Sequence, residues 1–505
     1  SDVAYHEWHL VFDKILRSLE QDVLLPKLDE LVSGSLAAAH AQTVELRGTS
    51  LEDAASRVEQ LFQVAAAELG QSVQLGPLAA KEKALVDAHS AASLSPLLAA
   101  KVDYSVFTPR GHYTRNAKLT RYFVAMSVLG QLPFCLPGTR DCVGTEPARA
   151  AVLAARILAG HADLLALWRA IYEPTAFLVG RADDYTPLEV AAAAKTVDPG
   201  WLQDATAFAD DATVAKTLAA VVKARPVLVN PERAAIRFLG TRFVVDSYVL
   251  DQLIYPNVDK RLMPSGLDLA AAFGSSLAYD TLKEQGVTAL ANYDSQLTKM
   301  RKAIAARPAR DWGSTVYDAW LYALQPMFVA HGSAFPDFMR TMLWAAKDLQ
   351  SGLGSYAQLK HDTVLYTKQF FAEGGDQLPP SPRNWVEPDP TAFGRLAAAA
   401  SLLRQGLDDR NLLTPAASRL LGEASSMFAF FERVARDELA ARPIAKADND
   451  RLRFIGGELE KIRFETSDET RQGTPTPDQS DSIVADIGSS PKGVLELATG
   501  RVDRI

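Results

Sequence analysis

Helical periodicity constrains this chain more than any other feature. Near the start, Trp8, Phe12, Ile15 and Leu19 recur at three- and four-residue steps. That spacing draws a single apolar stripe along a helix, which Asp2 is placed to cap. The Ala/Leu-rich segments 51–70, 80–100 and 149–172 repeat the pattern, as do 205–224, 268–283 and 289–306. Thr114 reads as the N-cap of a helix carrying Leu119, Tyr122, Phe123, Met126 and Leu129. Residues 316–322 read as helical despite their aromatics. Helices over 336–351 and 355–373 flank a break at the glycines of 352–354, and helices over 391–407 and 413–441 follow. A Pro-rich run, 379–390, interrupts the pattern. Residues 465–482 are rich in Ser, Thr, Asp and Pro and poor in apolar side chains, as in a mobile loop. Around that loop, 462–464, 483–487 and 502–505 read as short strands. No repeat of 20 to 50 residues is present. The expected fold is mainly α. A large multi-helix body spans 1–445, divisible into two lobes near 225–235, and a small α/β element spans 446–505.

Composition narrows the partners. The chain has 505 residues with 53 basic and 61 acidic side chains, a net charge of −8. An acidic chain with no basic tract is a poor match for nucleic acid. The hydrophobic share of 48% suits a large buried core and argues against global disorder. No apolar run reaches the roughly 18 residues of a membrane span. The two cysteines, Cys135 and Cys142, flank a Pro-Gly turn in FCLPGTRDC. A short bridge between them is the favoured reading and points to an oxidising compartment. Two unrelated thiols are the other reading. The spacing and the lack of a nearby Cys/His pair argue against a metal site there.

Several segments together carry a resemblance. They are SDVAYHEWHLVFDKIL (1–16), FTPRGHYT (107–114), RFLGTRFVVDS (237–247), RLMPSGLD (261–268) and DWGSTVYDAWLYAL (311–324). They continue with LGSYAQLKHDTVLYTKQ (353–369), WVEPDP (385–390), IGGELE (455–460) and ATGRVDRI (498–505). In this the chain resembles the bacterial domain of unknown function numbered three-one-six-zero, found in exported proteins and lipoproteins. The resemblance implies export to the periplasm, the outer membrane surface or the medium. It also implies further sequence before Ser1, where a lipid anchor could lie, and after Ile505. It transfers no mechanism. The CLPGTRDC loop is a local addition to the family pattern.

Four constellations are candidates for chemistry. In YHEWHLVFD, His6, His9 and Asp13 share a helix face at i, i+3 and i+7. Imidazoles and a carboxylate so placed suit half of a zinc or iron site, although position 10 is Leu and the zincin spacing is absent. In TPRGHYT, Arg110, His112 and Tyr113 stand beside an expected helix N-terminus, an arrangement that suits a carboxylate or phosphate. In LKHDTVLYTKQ, Asp362, Tyr366 and Gln369 fall on one face at i, i+4 and i+7, flanked by His361 and Lys368. They could supply a base, a proton donor or ligand hydrogen bonds. In GGELE, Glu458 and Glu460 would share one side of an extended chain, as a catalytic carboxylate or as partners of Arg110, Arg237 or Arg242. Glu387 is open to the same two readings. Each constellation has a bland alternative, a buried polar network that organises packing. Serine-hydrolase, P-loop and Rossmann signatures are absent.

Three functions follow as expectations. The first is binding of a small anionic or peptide-like ligand in a cleft lined by His, Arg and Asp. The second is a metal-dependent hydrolase holding a divalent ion through His6, His9 and either His361 or Asp362, with His112 or Glu458 as base. The third is a structural component of the cell envelope.

Overall fold

The computed structural model describes residues 1–89, 92–136, 139, 146–366, 386–467, 484–490 and 493–498. Among them are nineteen α-helices and three two-stranded sheets, so the fold is mainly α. Its contacts divide the chain into two units. Unit 1 comprises Ser1–Leu16, Phe177–Gly180 and Val244–Ile505, and unit 2 comprises Arg17–Ala176 and Arg181–Phe243. No single described helix is long and apolar enough to cross a membrane.

Unit 1 is organised by an aromatic core. The first helix, Asp2–Leu19, carries the apolar stripe read from the sequence. Trp8 and Phe12 meet the edge of Trp320 at ring separations of 5.8 and 5.6 Å. Trp320 lies in helix Val316–Leu324, which packs on helix Pro390–Asp408, and that helix pairs with Pro415–Leu439. A polar lock sits inside this apolar mass. Asp246 accepts hydrogen bonds from Tyr317 (2.8 Å), Tyr356 (2.7 Å) and Lys360 (2.9 Å). The Lys360 and Asp246 side chains are both fully buried.

The glycines of 352–354 do not break their helix, which runs unbroken over Met342–Asp362. Glycine is required at 352 for packing: a Cβ there would come within 2.6 Å of the Phe328 ring. The helix ends at Asp362 rather than continuing to 373, and residues 363–366 form a turn. The expected strand at 462–464 lies inside helix Lys446–Thr466. Two successive glycines cost a helix roughly 1 kcal/mol each. Around them Arg451 and Glu458, two turns apart, pair across at 2.7 Å, and good helix formers supply the remaining turns. The strand expected at 483–487 does form: Val484–Ser490 pairs antiparallel with Gly493–Ala498. Residues 502–505 lie outside the described set.

Unit 2 is an Ala-rich helical body. Helix Glu52–Leu69 buries Ala54, Ala55, Val58, Leu61, Phe62, Ala65 and Ala66. It packs on Leu25–Glu45, Ala117–Gln131 and Glu146–Gly160. Small side chains on this face let helices approach closely. Helix Ala117–Gln131 is capped by Asn116, whose side chain accepts from the N–H groups of Lys118 and Leu119. Thr114 is therefore not the cap. It closes a separate one-turn 3₁₀ segment, Gly111–Thr114, entered through Gly111 at a φ of +58°. One short ladder, Phe134–Cys135 against Ala235–Ile236, ties two distant stretches of unit 2 together.

Candidate functional site

The ladder of unit 2 forms one wall of a cavity of about 140 Å³. Its lining includes three cationic side chains, Lys101, Arg233 and Arg237, against one carboxylate, Asp103. That carboxylate is already engaged, since Asp103 caps a short turn by accepting from the Ser105 N–H (3.0 Å) and hydroxyl (2.7 Å). Arg237 is held from behind. Its Nε donates to Asp184 at 2.7 Å, and its Nη1 donates to the carbonyls of Gly130 and Gln131. Asp184 is itself buried and also accepts from the Ala235 N–H in the ladder at 3.4 Å. The Arg237 Nη2 makes no hydrogen bond to a described residue, so one edge of a fixed guanidinium stays available. Lys101 is exposed and has no acidic partner among the described residues.

The residues of TPRGHYT lie in the same unit but do other work. His112 Nε2 meets Glu20 at 2.8 Å with both side chains fully buried, and the Tyr113 hydroxyl donates to the second Glu20 oxygen at 2.7 Å. Neither lies at the N-terminus of helix Ala117–Gln131, because both belong to the separate 3₁₀ turn and Asn116 caps that helix. Arg110 is half-buried. Burial pushes its guanidinium down to about 10, with Asp103 acting in the opposite direction. Asp103 thus links Arg110 electrostatically to the cavity, whose wall Arg110 does not form.

In unit 1 the structure brings two histidines onto one carboxylate, with a third beside them. Asp362, fully buried, meets His9 Nδ1 at 2.8 Å through one oxygen and His361 Nδ1 at 3.2 Å through the other. His6 stacks obliquely on His9 at 5.8 Å between ring centres, and its Nδ1 meets the Gln358 amide at 3.0 Å. His361 meets the edge of His9 at 6.1 Å. The i, i+3 spacing of His6 and His9 and the position of Asp362 at a helix end produce this gathering. Asp13 is buried one turn beyond His9, and Tyr366 is buried in the turn that follows Asp362. Because the helix stops at Asp362, Asp362 and Tyr366 are not successive turns of one helix face. Among the described residues, no three His, Cys, Asp or Glu side chains are grouped so as to hold a metal ion.

The remaining candidates separate. Glu458 pairs with Arg451 at 2.7 Å, not with Arg110, Arg237 or Arg242, and it belongs to unit 1 while His112 belongs to unit 2. Glu387 pairs with Lys347 at 2.8 Å. Cys135 is buried in the ladder, while Cys142, Lys368 and Gln369 lie outside the described residues. Sequence reasoning passed over Lys101 and Arg233 and treated Arg237 only as an ion-pair partner. The available signal was RFLGTRF, where a basic side chain directly follows a short apolar strand.

Helical units that bury carboxylates against Tyr, His, Arg and Lys, one of them with a cation-lined cavity, define a mainly α protein. The family described as "Protein of unknown function (DUF3160)" matches residues 1–505, the whole chain. The chain belongs to that family. No curated protein and no solved structure matches it.

Proposed function

We propose that the chain is a binding protein for a small oxyanion, a phosphate or carboxylate group, taken in the unit 2 cavity. The observation that carries this reading is the free Nη2 edge of the clamped Arg237 beside Lys101, which has no acidic partner among the described residues, with Arg233 in the same lining. A guanidinium fixed by a buried carboxylate presents its donors at little entropic cost, the condition under which Arg recognises oxyanions well. Calorimetric titration with inorganic phosphate and with acetate tests it. Lys101→Gln, at an exposed position that leaves the core intact, should weaken binding about 10-fold, the scale of one charge-assisted hydrogen bond. Affinity unchanged in both Lys101→Gln and Arg233→Gln would overturn the reading.

The His9–Asp362–His361 arrangement favours a second reading, acid–base chemistry in unit 1. Asp362 orients two imidazoles through Nδ1, which leaves the Nε2 of His361, the more exposed ring, for proton transfer. Hydrolysis of an activated ester that disappears in His361→Ala would support it. The export suggested by the family resemblance is also a proposal, to be tested by fractionating cells that make the full-length protein.

A further inference from the structure

We propose that helices Pro390–Asp408, Pro415–Leu439 and Lys446–Thr466 of unit 1 form a docking groove for an extended acidic peptide. The groove encloses about 560 Å³, four times the volume of the unit 2 cavity. All three helices contribute cations: Arg404, Arg419, and Arg451 with Lys461. Two carboxylates, Glu423 and Glu458, share the lining and Glu465 pairs with Arg419 at its side, so four cations meet three carboxylates. Met427 and Ile462 supply an apolar floor. At Gly422 nothing lies within 4 Å of where a Cβ would stand, so the groove is open there.

The dimensions fit a strand. Arg451 and Lys461 are ten positions apart on one helix, about 15 Å along its axis. An extended peptide advances about 3.3 Å per residue, so roughly four to five residues span that distance with alternate side chains facing the groove. Arg451 meets Glu458 at 2.7 Å in a half-buried pair, but the other two are held loosely. Lys461 with Glu423 at 2.6 Å and Arg419 with Glu465 at 3.0 Å pair at exposed positions. Exposed pairs of this kind are worth little, so incoming carboxylates can take the place of these glutamates. Arg404 needs no such exchange, because it donates to the Ser418 hydroxyl at 3.3 Å rather than to a carboxylate. The groove's own glutamates therefore mark where the peptide's would lie. Charge complementarity, the open floor and the spacing of cations on three helices together select an acidic strand over a single small anion.

Fluorescence polarisation with a labelled oligoglutamate peptide of roughly eight residues, long enough to cross the groove, tests the proposal on the full chain. Saturable binding that weakens as salt rises is expected. Arg404→Glu and Lys461→Glu should each reduce affinity about 10-fold or more, and Glu423→Gln should tighten it a few-fold, provided each variant keeps the parent melting temperature. Three results would overturn it: no binding at low salt; unchanged affinity in folded Arg404→Glu and Lys461→Glu; or tighter binding of an oligothymidylate of equal charge.

Discussion

The unit 2 cavity and the unit 1 groove both collect cations, and they hold them in opposite ways. In the cavity, Arg237 is clamped by the buried Asp184 and by backbone carbonyls, and its own exposure is 14%. In the groove, Arg419 and Lys461 are more than half exposed and rest on glutamates that water also reaches. The first arrangement has already lost the entropy that a ligand would otherwise have to remove, so it suits one small group bound in one pose. The second keeps its side chains adaptable and suits a longer partner whose carboxylates arrive in succession. The neighbourhood of a positive charge is therefore more informative than its presence.

The largest test of this contrast removes the clamp. Asp184→Ala leaves the half-buried Arg237 without the carboxylate that holds it, and breaking a pair whose acid is buried costs up to about 3–5 kcal/mol. Its denaturation midpoint should fall well below the parent's, with phosphate affinity lost in whatever remains folded. A midpoint within error of the parent's would mean that Arg237 is not clamped. Of intermediate size is the pH response of another buried carboxylate in unit 2. Burial holds Glu82 above its ordinary value of 4.5, although Ser95, Tyr104 and the Leu97 N–H all donate to it. The folded chain thus keeps a proton that the unfolded chain releases. The stability from this group is full below pH 4.5 and declines as pH rises through the raised value. Glu82→Gln should flatten that part of the melting-temperature profile, and a profile that keeps its slope would assign the effect elsewhere. Smallest is Arg419→Ala in the groove, where the exposed pair with Glu465 is lost and about 0–1 kcal/mol is expected in urea unfolding. A cost as large as that of Asp184→Ala would erase the distinction between the two regions.

Much of the helical architecture was legible because apolar periodicity is local. The stripe Trp8–Phe12–Ile15 and the helices at 316–322, 391–407 and 413–441 all emerge within a few residues of their observed limits. The errors arose where local signals compete with distant contacts. Glycines at 352 and 354 read as a break, but at 352 the absence of a Cβ is what lets Phe328 close on the helix. Gly456 and Gly457 read as a turn, yet the charged residues around them sustain a helix. The site was legible in part. His6 and His9 announce a common face, and their meeting with His361 and Asp362 follows once two helices pack. The basic cavity was hidden, because Lys101 lies more than 130 positions from Arg233 and Arg237 and the ladder in the cavity wall, Phe134–Cys135 against Ala235–Ile236, is only two residues long.

The buried Asp246 lock has a consequence for how unit 1 rejects wrong arrangements. Its donors come from positions 317, 356 and 360, the last two one turn apart on one helix. An apolar helix face shifted by a single residue still finds greasy neighbours. Helix Met342–Asp362 shifted by one residue would swing Tyr356 and Lys360 about 100° aside and strand a carboxylate in hydrocarbon. The lock thus acts as a proofreader: it taxes near-miss packings that an oily interface would tolerate, and so favours a single register for the helix that presents Gln358, His361 and Asp362.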